Sequence, residues 1–402
     1  MAFALLTLLL GCPRAVDAPD PEDFPTVILI SSDGMRWDYP DRTDTPTLDR
    51  LAAEGVRADA LIPSFPSKTF PNHYTLATGL YPEHHGIVEN TMYDPGSGRW
   101  YTITDSAAVS DPWWYGGEPI WVTAENAGLP AGTVFWVGSE ADIGGVRPSY
   151  WMPYRGSMTF GQRVTQALEW LDAPVSRRPR LLTLYFDEPD HAGHSHGPDG
   201  AEVEDAAAQV DVALGALVDG LEERGLLDAV DLFVVSDHGM AALSPDRVVY
   251  LDDYIDLREV DVINWSPAAT MWVDEARIPG LVEQLSAAEH MLCAAKEDLP
   301  EHLHYAAHHR IPPLVCVADP GWAISTRGYP SDFTGGTHGW DPLSTDMQGI
   351  FYARGPHVRE GLRVEPFENV DVYNLLAAIL DLTPAPNDGD PARVDALLQE
   401  LP

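Results

Sequence analysis

The segment Thr26-Val-Ile-Leu-Ile-Ser-Ser32 has no polar alternation and closes on Asp33-Gly34. A strand with one wet face alternates apolar and polar residues. An unbroken apolar run is buried on both faces, as in a parallel sheet flanked by helices. The same grammar recurs along the chain. Val134–Val137, Arg180–Phe186 and Asp231–Ser236 read as strands, and Thr47–Glu54, Arg163–Leu171 and Glu202–Glu223 as amphipathic helices between them. Alternating strands and helices predict an α/β three-layer sandwich around a mostly parallel sheet. Ligands of such sheets gather beyond the carboxyl ends of the strands. Asp33, Asp187/Asp190 and Asp237 all fall there.

From about residue 251 the pattern changes. Ala268–Val273 and Pro313–Ala318 read as strands around a helix at Pro279–Glu289, a small α+β insertion. The chain returns to the main sheet at Met347–Ala353, and Asn369–Leu380 reads as a closing helix. The expected organisation is a lipoprotein-type signal and tether at 1–25, the first part of a catalytic core at 26–250, the insertion at 251–325, and the rest of the core at 326–402.

Lys plus Arg is 24 against 62 Asp plus Glu, a formal net charge of −38. Such a surface repels phosphate polymers, so nucleic acid is excluded as a partner, as is a basic membrane-surface helix. With 45% hydrophobic residues the chain is not a disordered acidic polymer. Its acidity reads as solubility or adaptation to salt.

Residues 1–12 (MAFALLTLLLGC) form an apolar run too short to span a membrane. The run looks like a bacterial lipoprotein signal with Cys12 as the lipidated residue, although no Lys or Arg precedes it. An exported, periplasmic or cell-surface lipoprotein is the expected location, with the membrane reached only through Cys12 and the protein a monomer. Cys293 and Cys316 lack metal-ligand spacing. They are either a disulfide, which an exported compartment permits, or two buried thiols.

Several His residues lie beside carboxylates in the segments after strands: Asp237-His238-Gly239, Asp190-His191-Ala-Gly-His194, and Gly335-Gly-Thr-His338. One Asp at a strand end is ordinarily a cap or turn former. Clusters of carboxylate and imidazole along one sheet edge suit Zn²⁺, Mn²⁺ or Fe²⁺. Six or seven such ligands are enough for two metals, the arrangement that clamps both oxygens of a phosphoryl transfer. Thr69 stands in a Pro-bounded loop before a helical stretch, where a hydroxyl either caps the helix or is presented as a nucleophile.

These pieces occur in one order: ISSDGMRWDY at 30–39, TPTLDRLAAEG at 45–55, PSFPSKTFPNHYTLATGLYPEHHGIVENTMYDP at 63–95, YFDEPDHAGHSHGP at 185–198, VVSDHGM at 234–240, DLPEHLHY at 298–305 and GGTHGWD at 335–341. Together they resemble the nucleotide pyrophosphatase/phosphodiesterase family of the alkaline phosphatase superfamily. The resemblance implies an alkaline-phosphatase-like fold and two Zn²⁺ ions. One ion would be held by Asp33, Asp237, His238 and the Thr69 hydroxyl, the other by Asp190, His194 and His338. It implies Thr69 as the nucleophile that carries a phospho-threonine intermediate, and Asn90 as a donor to a phosphate oxygen. Lys68, Phe70 and Tyr185 would contact substrate, Phe70 and Tyr185 by stacking. Asp187 would stand outside the metal set, with His191 and His196 as bystanders. His191-Ala192 and Thr337 depart from the family pattern beside the ligands.

The implied activity is zinc-dependent hydrolysis of small phosphodiesters or pyrophosphates such as nucleotides and dinucleotides. The competing readings are a phosphomonoesterase, a phosphonoacetate hydrolase, a phospholipid head-group phosphodiesterase with a cage built from Trp113, Trp114 and Trp121, and a non-catalytic metal-binding lipoprotein.

Overall fold

The computed structural model describes residues 25–329 and 331–399. The expected signal and Cys12 lie outside the described residues. The central sheet has eight strands: β1 (Thr26–Ser32), β2 (Val56–Ala58), β3 (Ala131–Val134), β4 (Tyr150–Met152), β5 (Leu181–Phe186), β6 (Val230–Val235), β11 (Phe351–Arg354) and β12 (Leu362–Val364). Between them the insertion contributes β7 (Asp261–Asn264), β8 (Ala268–Trp272), β9 (Met291–Ala295) and β10 (Leu314–Ala318). The order across the main sheet is β12-β2-β11-β6-β1-β5-β3-β4. All neighbours are parallel except β11, which runs antiparallel to both β6 and β2.

Strand β1 lies at the centre, and its side chains divide between two cores. Val27 and Leu29 pack into one, Ile28 and Ile30 into the other, all at most 1% exposed. Each such burial contributes roughly 1.5–3 kcal/mol, which is why the stretch from Val27 to Ile30 carries no polar residue. Helices α1 (Pro46–Glu54), α4 (Phe160–Leu171) and α6 (Ala201–Glu223) cover the Ile28/Ile30 face. Helices α2 (Thr69–Thr78), α3 (Ile120–Asn126) and α8 (Val372–Ile379) cover the other. The result is the three-layer α/β sandwich expected from the sequence. The short helix α5 (Asp190–His196) follows β5, and α7 (Ile278–Leu285) belongs to the insertion.

Most element boundaries agree within a few residues, and the differences are informative. Helix α4 starts earlier than Arg163 because Thr159 and Gln162 form a capping box. The closing helix begins at Val372, after a 3₁₀ turn over Asn369–Asp371. The strand expected at Val134–Val137 instead ends at Val134. Phe135 turns the chain with φ 64°, so the apolar residues Phe135 to Val137 line a cleft and do not extend the sheet.

Strands β7 to β10 form an antiparallel sheet in the order β7-β8-β10-β9. Cys293 and Cys316 face each other across β9 and β10 and are joined as a disulfide. No helix among the described residues is long and apolar enough to cross a membrane.

Candidate active site

The carboxyl ends of β1, β5 and β6 converge. Asp33 follows β1, Asp237 lies just beyond β6, and Asp190 opens α5 after β5. The backbone ties the first two ends together, with Asp190 N–H donating to the Asp33 carbonyl at 3.1 Å. This approach requires Gly34. Its φ is +66°, and a Cβ there would sit 3.0 Å from the Asp190 backbone.

Two groups of three side chains result, Asp33/Asp237/His238 and Asp190/His194/His338. All six were anticipated as ligands, and the structure brings them together in these two groups. In each group the ligand-type atoms lie within 4.8 Å of one another. His238 Nε2 is 3.1 Å from Asp237 Oδ2 and 3.4 Å from Asp33 Oδ1. His194 and His338 Nε2 are 3.4 and 3.6 Å from Asp190 Oδ1. Donors about 2.0–2.2 Å from a shared tetrahedral ion stand about this far apart.

The hydrogen bonds show which atoms are left for an ion. His238 Nδ1 meets the Gly239 carbonyl at 2.9 Å, His194 Nδ1 the Gly336 carbonyl at 2.9 Å, and His338 Nδ1 the Ser67 carbonyl at 2.8 Å. A carbonyl only accepts, so each Nδ1 carries a proton, and each Nε2 is the atom left to face an ion. Asp33 Oδ2 accepts from the Tyr185 hydroxyl at 2.6 Å, and Asp237 Oδ1 from Gly34 N–H at 3.2 Å. Asp33 Oδ1, Asp237 Oδ2 and Asp190 Oδ1 are buried without a hydrogen-bond donor. Buried carboxylate oxygens left this way are costly, and cations in the two groups would satisfy them. The donor set therefore fits two divalent ions.

Electrostatics agree. Burial, then the charges of Asp237 and Asp190, push Asp33 well above the usual carboxylate range. Burial works the same way on Asp237, but His238 and His73 outweigh it and hold that group well below the range. Burial and the neighbouring His238 and His194 keep His338 neutral, with a pKa well below that of free histidine.

Thr69 is the first residue of α2, and the capping position belongs to Lys68, whose side chain makes no capping bond. The Thr69 hydroxyl is therefore free of the capping role and lies 3.3 Å from His238 Nε2. Asn90 Oδ1 accepts the Phe70 backbone N–H at 3.0 Å. This fixes the oxygen end of the amide against the first turn of α2. Phe70 and Tyr185 both line a cleft of about 610 Å³ that also reaches Thr69, Asp33 and Asp190.

Other anticipated residues fall elsewhere. The Lys68 ammonium, from which a substrate contact was expected, pairs with Glu89 at 2.7 Å and is not among the residues that line the cleft. Asp187 stands outside both ligand groups, accepting from Tyr154 and Arg163 at 3.0 and 3.1 Å. His191, expected as a bystander, is among the residues that line the cleft. Trp114 and Trp121 are buried in the core, and Trp113 lies between Arg99 and Arg310, so the trio makes no aromatic cage.

Three residues were missed by the sequence reading. Tyr154 lines the cleft at 48% exposure. Asn72 is fully buried and holds the loop before Thr69, bonding Ser64 N–H at 2.7 Å and the Pro66 and Lys68 carbonyls at 2.9 Å. His73 packs behind Asp237 at 3.3 Å and bonds Ser31 and the Thr69 carbonyl at 2.8 Å. The adjacency of Asn72 and His73 to Thr69 was the only available signal.

The sequence profile of the type I phosphodiesterase/nucleotide pyrophosphatase family matches residues 27–341. The chain belongs to this family. It is 39% identical to mouse ectonucleotide pyrophosphatase/phosphodiesterase family member 1, over 96% of this chain and 44% of the relative. It is 40% identical to the venom phosphodiesterase CdcPDE of Crotalus durissus collilineatus, over 83% of this chain and 41% of the relative. The chain thus spans less than half the length of these curated relatives. Murine ectonucleotide pyrophosphatase/phosphodiesterase 5, solved as an inactive variant in complex with AMP, superposes with a TM-score of 0.88 at 36% identity, covering 93% of this chain and all of that one. The alkaline-phosphatase-like fold expected from the motifs is thereby shown.

Proposed function

We propose that this protein hydrolyses small phosphodiesters and pyrophosphates, nucleotides and dinucleotides first among them. The observation that carries the reading is the Thr69 hydroxyl, free at the start of α2 and next to both the ligand groups and the aromatic cleft. Asp33, Asp237, His238 and Thr69 would hold one Zn²⁺, and Asp190, His194 and His338 the other. When bound, the ions would draw charge from the phosphate oxygens and lower the pKa of the Thr69 hydroxyl.

The chain's own groups do the rest. Thr69 Oγ1 forms a bond to phosphorus, and the leaving alkoxide or phosphate departs with its electron pair and takes up a proton. Asn90, oriented by Phe70 N–H, donates from its NH₂ to a non-bridging oxygen, and the N-terminal end of α2 favours the anion. Water then cleaves the phospho-threonine ester, restoring the hydroxyl and releasing a phosphomonoester. One water is consumed in all. Phe70 and Tyr185 offer faces to a nucleobase, each such contact worth about 1–3 kcal/mol.

A diester is favoured over a monoester by what the nearby cations already do. Arg36 is bonded to Asp38, Asp199, Asp346 and the Met240 carbonyl, and Lys68 to Glu89. Neither is left for the extra phosphate oxygen of a monoester. The buried Trp114 and Trp121 count against a choline head group. The test is turnover of bis-(p-nitrophenyl) phosphate against p-nitrophenyl phosphate, with and without chelator. Faster diester cleavage that chelator abolishes supports the reading, and a monoester preference overturns it.

The disulfide and the likeness to ectonucleotide pyrophosphatase/phosphodiesterases and a venom phosphodiesterase support a place outside the cytoplasm. Lipid attachment at Cys12 belongs to the same proposal. Metabolic labelling with a fatty acid, lost in Cys12→Ala, tests it.

A further inference from the structure

One largely buried ion pair beside the site involves neither metal group. Lys68 and Glu89 side chains are 12% and 2% exposed, with Nζ 2.7 Å from Oε1. Three segments meet on this pair. The same Glu89 oxygen accepts the backbone N–H of Asn90 at 3.1 Å. The Lys68 carbonyl accepts from the N–H and the side chain of Asn72 at 3.1 and 2.9 Å, fixing the first turn of α2. The Lys68 stem crosses Gly339, where a Cβ would stand 2.8 Å from Lys68 Cε, next to His338.

The charge arrangement is one-sided. Glu89 Oε2 is buried with no hydrogen-bond partner, so the carboxylate depends on Lys68 for compensation. A buried charge stripped of its partner moves or draws in water. Here the group that would move is hydrogen-bonded to Asn90.

We propose that the Lys68–Glu89 pair is a positioning element that sets the Asn90 amide relative to Thr69 and to the His338 loop, and that Lys68 acts through Glu89 and not on substrate. This rests on the diesterase reading above. It also gives Lys68, the residue before the nucleophile, a role that its cationic character alone does not suggest.

The test is a mutant cycle on bis-(p-nitrophenyl) phosphate with the metal-loaded full chain. Glu89→Gln and Lys68→Met should each lower kcat at least tenfold and change KM less than threefold, with two zinc ions retained. In an Asn90→Ala background neither should lower kcat further by more than twofold. A Lys68 that contacts substrate gives a different pattern. Glu89→Gln would free the ammonium and leave or raise kcat, and Lys68→Met would cost as much with Asn90→Ala as without it. Either of these results overturns the proposal. Should Glu89→Gln lower the melting temperature, Lys68→Met/Glu89→Gln, which buries no unpaired charge, carries the same comparison. Its effect too must vanish with Asn90→Ala. A wild-type chain that cleaves no diester overturns the functional reading itself. An active wild type with an equally active Glu89→Gln overturns only the positioning role.

Discussion

His238 Nε2 lies 3.3 Å from Thr69 Oγ1 while its Nδ1 is held by the Gly239 carbonyl at 2.9 Å. The imidazole therefore turns Nε2 toward the hydroxyl, and the same nitrogen faces Asp33 and Asp237. Thr69 in this way stands beside one of the two groups and in the cleft at once. A helix cap would have turned the hydroxyl back on its own backbone.

Replacing Thr69 by Ala removes one oxygen and leaves six ligand residues in place. Diester turnover should fall by about 10³-fold or more, with zinc content by metal analysis still near two per chain. Retained turnover would remove Thr69 as nucleophile.

His338 contributes Nε2 to a group of only three side chains. His338→Ala should lower zinc from two per chain toward one and reduce diester turnover by about 100-fold or more, since a bound metal supplies several kcal/mol at such transition states. A variant that keeps both ions contradicts the ligand assignment.

Phe70 lines the cleft while its backbone N–H orients Asn90. Phe70→Ala removes the ring and spares the N–H. The KM for a dinucleotide should rise roughly 5- to 150-fold, while kinetics on bis-(p-nitrophenyl) phosphate change less. Equal effects on both substrates would argue against base stacking.

Acid sensitivity should come in part from His85, which is fully buried away from the metal groups. Its Nδ1 accepts Ile87 N–H at 3.1 Å and its Nε2 meets Thr75 Oγ1 at 3.0 Å. Burial, then the nearby His308, pulls its pKa down to about 3. The folded pKa lies below the unfolded one, so the stability is fully present above about 6.5 and is lost as pH falls toward 3. The loss from this group at pH 5 should be about 2 kcal/mol. Urea unfolding at pH 7 and 5 should show a smaller difference for His85→Gln than for the wild type. Asp371, pushed up to about 6 by burial, acts in the opposite sense in both proteins.

Much of this was legible in the sequence because burial leaves a pattern. Strand β1 is wholly apolar from Val27 to Ile30 because both its faces are packed there, and Asp33 and Asp237 stand out because they follow such runs. Phe135 to Val137 misled for the same reason: residues that wall a cleft are as apolar as those of a strand, and only the φ of Phe135 separates the two. The pairing of Lys68 was not legible, because its partner Glu89 is 21 residues away. Asn72 and Tyr154 act through hydrogen bonds and exposure that no local spacing encodes. The charge of −38 is a property of the whole surface, whereas only three of its carboxylates form the ligand groups.

The central claim is that a covalent threonine ester lies on the pathway. Its most direct test is the stereochemical course of hydrolysis of a phosphorothioate diester of known configuration in isotopically labelled water. Two successive displacements, first by Thr69 and then by water, predict overall retention at phosphorus. Inversion would mean that water attacks the substrate directly, and would contradict the account.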